Sequence, residues 1–358
     1  MSVREEADAG TTPVRQEHRF DERRLAEWMT AHVDGYQGPL TVSQFNGGQS
    51  NPTYMLTTPK RSYVLRRKPS GELLKGAHAV DREARVLSAL RLRNFPVPAV
   101  HGLCTEDSVI GTWFYVMDMV EGRVFWDAKL PQVSREDRPR YFDAMNAALA
   151  QLHSVDYEAV GLSDYGRPGS YCRRQIARWS KQYIDDVDAG RNPDLDRLIE
   201  WLPENIPDDG DEASLVHGDF RCDNIIFHST EPRIVAVLDW ELSTLGSPLS
   251  DFAYHAMMYR MPPHIVAGLV GTDLLACNIP SERDYVAAYC RRTNRDSIPA
   301  YDFYMAFNFF RMAAIFHGIK GRVIRGTASS AEARERVKVF PELAGIAWQQ
   351  AKLAQVHG

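Results

Sequence analysis

The stretch "LVHGDFRCDNIIF", residues 215 to 227, decides how this chain is read. Leu215 and Val216 lead in, and Ile225, Ile226 and Phe227 lead out. Between them stand His217, Asp219, Arg221, Asp223 and Asn224. Short apolar runs seek burial, so the polar loop between them would be held at both ends. A further apolar run, "RIVAVLD", closes on Asp239, twenty residues after Asp219. Two carboxylates and an amide oxygen would then meet at one end of a small hairpin. Oxygen donors suit Mg²⁺, which keeps part of its water shell and is completed by substrate phosphates. A carboxylate not consumed by the metal would orient a hydroxyl and take its proton. Each piece alone is weak: HGD is a common turn, and Asp-Trp-Glu at a strand end says no more. The joint pattern, H-G-D-x-x-x-x-N and then an apolar strand ending in Asp, is far more specific.

The rest of the chain bounds that reading. Its 358 residues, 44% hydrophobic and 25% charged, suffice for two domains or lobes. A net charge of −5 provides no global basic field for nucleic acid or an anionic membrane. Five cysteines, widely spaced and without a CxxC, argue against a disulfide framework or zinc site and fit a reducing cytoplasm. Residues 1–20 are polar, lack the apolar core of a signal peptide, and read as a flexible lead-in. The apolar run 301–319 carries Asp302, Asn308, Arg311 and His317, which are costly in lipid, so it reads as a buried soluble helix.

Residues 21–119 alternate strand and helix signals. Asp21 caps a helix whose Leu25, Trp28, Met29 and Val33 form one apolar face. Strand-like segments follow at 40–45, 53–58 and 63–68. The helix at 78–93 aligns Val80, Ala84, Leu87 and Leu90, with Glu83 inside the same stripe. A carboxylate there is costly unless paired, and the strand ending in Arg66, Arg67 and Lys68 offers a cation. In "NGGQSN" (46–51), backbone N–H groups around Gly47, Gly48, Gln49 and Ser50 would face phosphate oxygens, although a plain hairpin turn has the same look. "WFYVMDMVEG" (113–122) is an apolar strand entering a polar turn. Residues 120–358 are mostly helical in pattern. In "YCRRQIARWSKQY", Arg174, Arg178 and Lys181 fall at i, i+4 and i+7, a basic stripe that suits a phosphorylated or carboxylated acceptor, or equally a solvated face.

"HGDFRCDN" followed by "AVLDWE" resembles the aminoglycoside phosphotransferase and choline kinase superfamily, over about residue 35 to the C-terminus. The resemblance implies a two-lobed α+β fold like that of protein kinases. A small antiparallel-sheet N-lobe with one key helix (21–119) would bind nucleotide. A larger, mainly helical C-lobe (120–358) would carry the catalytic loop and the acceptor. Asp219 would be the catalytic base, Asn224 and Asp239 the Mg²⁺ ligands, and Asp251 a brace for the loop. Arg66 stands where a kinase shows lysine, and would pair with Glu83 to hold the phosphates of ATP. The carbonyl of Asp118 and the N–H of Val120 fit a hinge facing adenine.

"FNGGQSNPTYML", "VLRRKPSGELLKGAHAVDREARVL" and "YCRRQIARWSKQY" are similar to the phosphotransferase domain found ahead of acyl-CoA dehydrogenases. That subgroup implies ATP-dependent phosphorylation of a hydroxyacyl-CoA, in partnership with a dehydrogenase-like enzyme. No dehydrogenase domain is expected within these residues. The CoA phosphates would meet Arg174 and Arg178, while Arg221 would orient the acceptor or brace the carboxylates. Competing readings are an aminoglycoside- or choline-type kinase and a nucleotide-binding pseudokinase, the latter suggested by Arg66 in place of lysine. A protein kinase fits less well, because only eleven residues separate Asp239 from Asp251.

Overall fold

Strands β2 (Thr41–Phe45), β3 (Thr53–Thr57) and β4 (Ser62–Arg67) run antiparallel, with Tyr54 opposite Leu65 and Val42 opposite Leu56. The computed structural model that shows this describes residues 10–46, 51–69, 79–208, 212–328 and 331–357. The phosphate-loop candidates Gly47, Gly48, Gln49 and Ser50 lie outside the described residues. By contact density the chain divides into two compact units. One comprises Met1–Val124, Glu158–Leu162 and Asn224–Ser243; the other comprises Phe125–Tyr157, Ser163–Asp223 and Thr244–Gly358.

The first unit holds a six-stranded sheet in the order β1-β2-β3-β4-β6-β5, where β1 is Thr11–Thr12, β5 Val100–Cys104 and β6 Phe114–Asp118. Period-two burial drives it: Tyr54, Leu56, Tyr63, Leu65, Phe114 and Val116 are all fully buried. Helix α1 (Glu22–His32) closes one face with Leu25, Trp28 and Met29, and Asp21 caps it by accepting from the N–H groups of Arg23 and Arg24. Both features match the sequence pattern. Helix α2 (Val80–Arg91) buries Val80, Ala84, Leu87 and Leu90, and Glu83 with them. The hairpin of β8 (Ile225–Phe227) and β9 (Ile234–Val237) also belongs to this unit. Gly122 lets the chain after β6 press against that hairpin, because a Cβ there would lie 2.2 Å from the Phe227 carbonyl oxygen. Arg123 and Phe227 then exchange two 2.8 Å backbone hydrogen bonds.

The second unit is helical. Helix α3 (Arg138–His153) packs on α7 (Glu282–Arg292), while α4 (Tyr171–Asp185), α5 (Pro193–Glu204) and α6 (Pro248–Ala256) pack on α8 (Tyr301–Ile324), along which α9 (Ala331–His357) also runs. A short antiparallel pair, β7 (Ser214–Val216) with β10 (Thr244–Gly246), is set among them. Most of α8 up to Gly321 is buried, as its composition predicts, and buried polar residues in it find partners. The Asn308 amide donates to the carbonyls of Ser250 and Tyr304, and His317 Nε2 bonds the Gly190 carbonyl. Among the described residues, no helix is long and apolar enough to cross a membrane.

Candidate active site

Arg66 and Arg67 end β4 and Lys68 follows it, and strand alternation turns Arg66 and Arg67 to opposite faces. Arg67 turns the other way, 2% exposed, packs over Phe20 and Tyr54 and donates to the His18 carbonyl. Lys68 covers the Trp113 ring and pairs with Asp81. Arg66 is the one that meets α2: its Nε lies 3.0 Å from Glu83 Oε2. Glu83 also accepts from the Asn51 amide at 2.9 Å and the Tyr115 hydroxyl at 3.0 Å. Burial raises the Glu83 pKa above the ordinary carboxylate value, and Arg66 only partly offsets this. The same guanidinium donates through NH2 to Asp239 Oδ1 at 2.8 Å and reaches Glu241 at 3.6 Å. A guanidinium fork can serve these carboxylates together, which a lysine ammonium does less well.

Asp239 adopts φ +63°, ψ +66° at the exit of β9. That left-handed conformation is costly for a non-glycine residue and persists only where its surroundings impose it. Trp240 supplies the anchor: it is 2% exposed, packs edge-on against Phe95, and its Nε1 donates to the Val237 carbonyl. The Leu238 N–H donates to the Asn224 carbonyl at 2.8 Å, which sets Asn224 beside the strand that delivers Asp239. Asn224, Asp239, Arg66, Asp118 and Val120 all line one cavity of about 370 Å³. Its apolar walls include Val64, Leu87, Met117, Ile226 and Val237. Among the described residues, no cluster of three or more His, Cys, Asp or Glu forms a ready metal cage. An amide and a carboxylate are instead the sparse oxygen set that suits Mg²⁺ sharing its shell with phosphates.

The second unit builds the loop that opened the sequence reading. His217 is fully buried and its N–H donates to Asp251 Oδ2 at 2.9 Å, while the Gly218 N–H donates to Asp251 Oδ1 at 2.8 Å. His153 Nε2 adds a third contact to Asp251 at 3.1 Å. Burial alone would raise the Asp251 pKa, but bonds from His153 and His217 outweigh it and hold the carboxyl below its usual value. Gly218 takes φ +83°, a turn that favours glycine, and its carbonyl accepts from Arg311 NH2 at 2.7 Å. His255 Nδ1 bonds the Phe220 carbonyl. The loop is thus tied down on three sides, and it presents Asp219.

Around Asp219, Tyr254 donates its hydroxyl to Oδ1, and Arg221 Nε lies 3.3 Å from the same oxygen. Arg221 NH2 also bonds Asp223 Oδ2 at 2.9 Å. Arg221 thus contacts both carboxylates of the loop. Cys222 beside it is buried, and burial pushes its thiol far up, which disfavours the thiolate. The basic stripe does not gather at Asp219. Arg174 turns back onto the carbonyls of Gly169 and Arg167, Lys181 pairs with Asp185, and exposed Arg178 stacks over Trp179.

Tyr254, Arg311, His153 and Tyr115 were not singled out by sequence. Tyr254 does share a helical face with Asp251, three residues earlier, and Arg311 was visible as a charge inside an apolar helix. Tyr115 sits in an alternating apolar strand where nothing distinguishes it from core.

A bracketed catalytic-type loop, an Arg–Glu pair under a nucleotide-sized cavity and a sheet-plus-helices architecture together define a protein-kinase-like phosphotransferase fold. The model of the Phosphotransferase enzyme family matches residues 41–289, and the chain belongs to that family. That family is one of phosphotransferase enzymes. A Ralstonia eutropha protein of solved structure, provisionally described as an aminoglycoside phosphotransferase, is 48% identical, superposes with a TM-score of 0.86, and covers 93% of this chain and 99% of its own. Acyl-CoA dehydrogenase family member 11 of Gallus gallus is 44% identical over 94% of this chain but only 44% of its own length, so the chain spans less than half of that relative. An aminoglycoside phosphotransferase, APH(4)-Ia, solved with ADP and hygromycin B, shares the fold at 14% identity, with a TM-score of 0.58 over 90% of this chain and 97% of its own.

Proposed function

We propose that the enzyme transfers the γ-phosphate of ATP to an alcohol, and that the alcohol is the hydroxyl of a hydroxyacyl-CoA. The observation that carries the kinase chemistry is the pairing of buried Glu83 with Arg66, whose other arm reaches Asp239, at the wall of a 370 Å³ cavity. That volume lies in the range of small-molecule sites, and its apolar side suits a nucleobase. The backbone at Asp118 and Val120 would meet the base edge, and Arg66 the phosphates. Asn224 and Asp239 would hold Mg²⁺, which supplies charge neutralisation at the phosphates when bound. Asp219, kept in place by Tyr254 and Arg221, orients the alcohol and accepts its proton. The alcohol oxygen bonds to the γ-phosphorus, the bond to the β–γ bridging oxygen breaks, and ADP leaves.

The acceptor class rests on relatives that carry acyl-CoA dehydrogenase names. Such an enzyme, eliminating the installed phosphate, would be the functional partner. Exposed Arg178 is the stripe member available to a CoA phosphate, while Arg174 shapes the loop before α4. An ADP-release assay with hydroxyacyl-CoAs, free hydroxy acids, choline and an aminoglycoside tests the reading. Turnover only with the aminoglycoside or choline would remove the CoA proposal, and nucleotide binding without any transfer would favour a pseudokinase.

A further inference from the structure

Two side chains that touch the Asp219 carboxylate, Arg221 and Tyr254, also form a wall of a second cavity. It is small, about 30 Å³, room for about two methylene-sized groups before anything moves. The remaining wall is mostly apolar and rich in sulfur: Met257, Met258, Met261 and Met312 line it beside Cys222 and His255, with Val266 and Ala267 at a half-buried lip. Thioether side chains are unbranched and re-pack at low cost, so such a cavity widens for a guest more readily than one walled by leucine. The lip segment is held back on the methionines by backbone bonds, Leu269 N–H to the Met258 carbonyl at 2.7 Å and Val270 N–H to the Met261 carbonyl at 3.2 Å.

Arg221 and Tyr254 touch both the Asp219 carboxylate and this cavity, so a group on the carbinol carbon of an alcohol at Asp219 would reach the cavity past those two side chains. Arg221 is already paired with Asp219 and Asp223, and the cavity lining itself offers no carboxylate, so an ammonium group of a choline or aminoglycoside acceptor there would lose its water with no acid to replace it. An alkyl chain would lose only water, which favours it. We infer that this methionine-lined cavity is the acceptor-chain subsite, that it receives an uncharged alkyl chain attached at the carbinol carbon, and that it sets which chain lengths are phosphorylated. The inference rests on the phosphotransferase reading, with Asp219 as the base.

The test uses the full chain with Mg²⁺, ATP and 4-hydroxyacyl-CoA thioesters bearing one, three or five carbons beyond the carbinol, with choline and an aminoglycoside alongside. Two half-buried positions are varied, Met258→Ala to widen the cavity and Ala267→Phe to fill it, and thermal melting confirms that each variant folds. The readout is the ratio of kcat/KM for the five-carbon chain to that for the one-carbon chain. It should fall about tenfold in Ala267→Phe and rise in Met258→Ala, the scale of a methylene or two in an apolar pocket. Transfer whose chain-length ratio is the same in wild type and both variants, or a preference for choline or the aminoglycoside, overturns the subsite and leaves the kinase reading standing. No ADP release with any acceptor overturns the kinase reading, and the subsite falls with it.

Discussion

Arg66 Nε sits 3.0 Å from Glu83 Oε2, and this pair ties β4 to α2. Glu83 is 2% exposed within an apolar helix face, so it can be tolerated only because Arg66, Asn51 and Tyr115 all address it. Removing one partner of a buried pair leaves an uncompensated charge. Arg66→Met should therefore destabilise the protein by about 3–5 kcal/mol. Arg66→Lys should cost less but still weaken ATP binding, because one ammonium cannot reproduce the fork. Urea denaturation and nucleotide titration of both variants check this.

Asp219→Asn keeps the shape and removes the basicity. The turnover number should fall by about 10²- to 10⁴-fold while nucleotide affinity is unchanged. ADP release and calorimetric titration measure the two quantities separately. Loss of nucleotide affinity alone would contradict the assignment of Asp219 to the acceptor.

Asp239→Asn should act differently. It keeps an oxygen donor but removes the charge, so the Mg²⁺ concentration needed for half-maximal turnover should rise. The fold should remain, because Trp240 rather than the carboxylate anchors the turn. Turnover titrated against Mg²⁺ shows the shift.

Buried His255 makes a pH-dependent contribution. Desolvation lowers its pKa from 6.5 to about 4, so the folded protein resists its protonation. As pH falls from 6.5 to about 4 the unfolded chain takes up the proton first, and stability declines by about 3 kcal/mol. Above pH 6.5 the contribution is level. His255→Gln should flatten this part of the profile, and melting curves at pH 7.5, 6 and 5 compare the two proteins.

Arg311 donates to the Gly218 carbonyl from the middle of α8 and lies over the Tyr254 ring. Arg311→Met should cost about 1–3 kcal/mol for the buried carbonyl left without its donor. Because that carbonyl immediately precedes Asp219, turnover should fall as well. Denaturation and ADP release on one preparation record both effects.

Several of these relationships were legible in the linear order of residues. Glu83 stood out because a carboxylate interrupted a helical apolar stripe, and burial physics demands a partner for it. The faces of α1 and α2 and the strands around them follow from local periodicity, which the chain writes out directly. Asp219, Asn224 and Asp239 were legible because their spacing is set by two short apolar segments. Alternation along β4 sets Arg66 and Arg67 on opposite faces, but that Arg66 rather than Lys68 meets Glu83 was decided by packing.

What only the tertiary structure decided is the set of long-range partners. Tyr254 lies 35 residues from Asp219, Arg311 lies 93 from Gly218, and Tyr115 lies 32 from Glu83. Hydrogen bonds over such separations depend on how whole elements dock, and no local pattern records that. The basic stripe on α4 marks the same boundary from the other side. Helical spacing put Arg174, Arg178 and Lys181 on one face, but the loop before α4, Asp185 and the Trp179 ring determine what each one touches. A side chain's face follows from its position along the element, whereas its partner follows from packing.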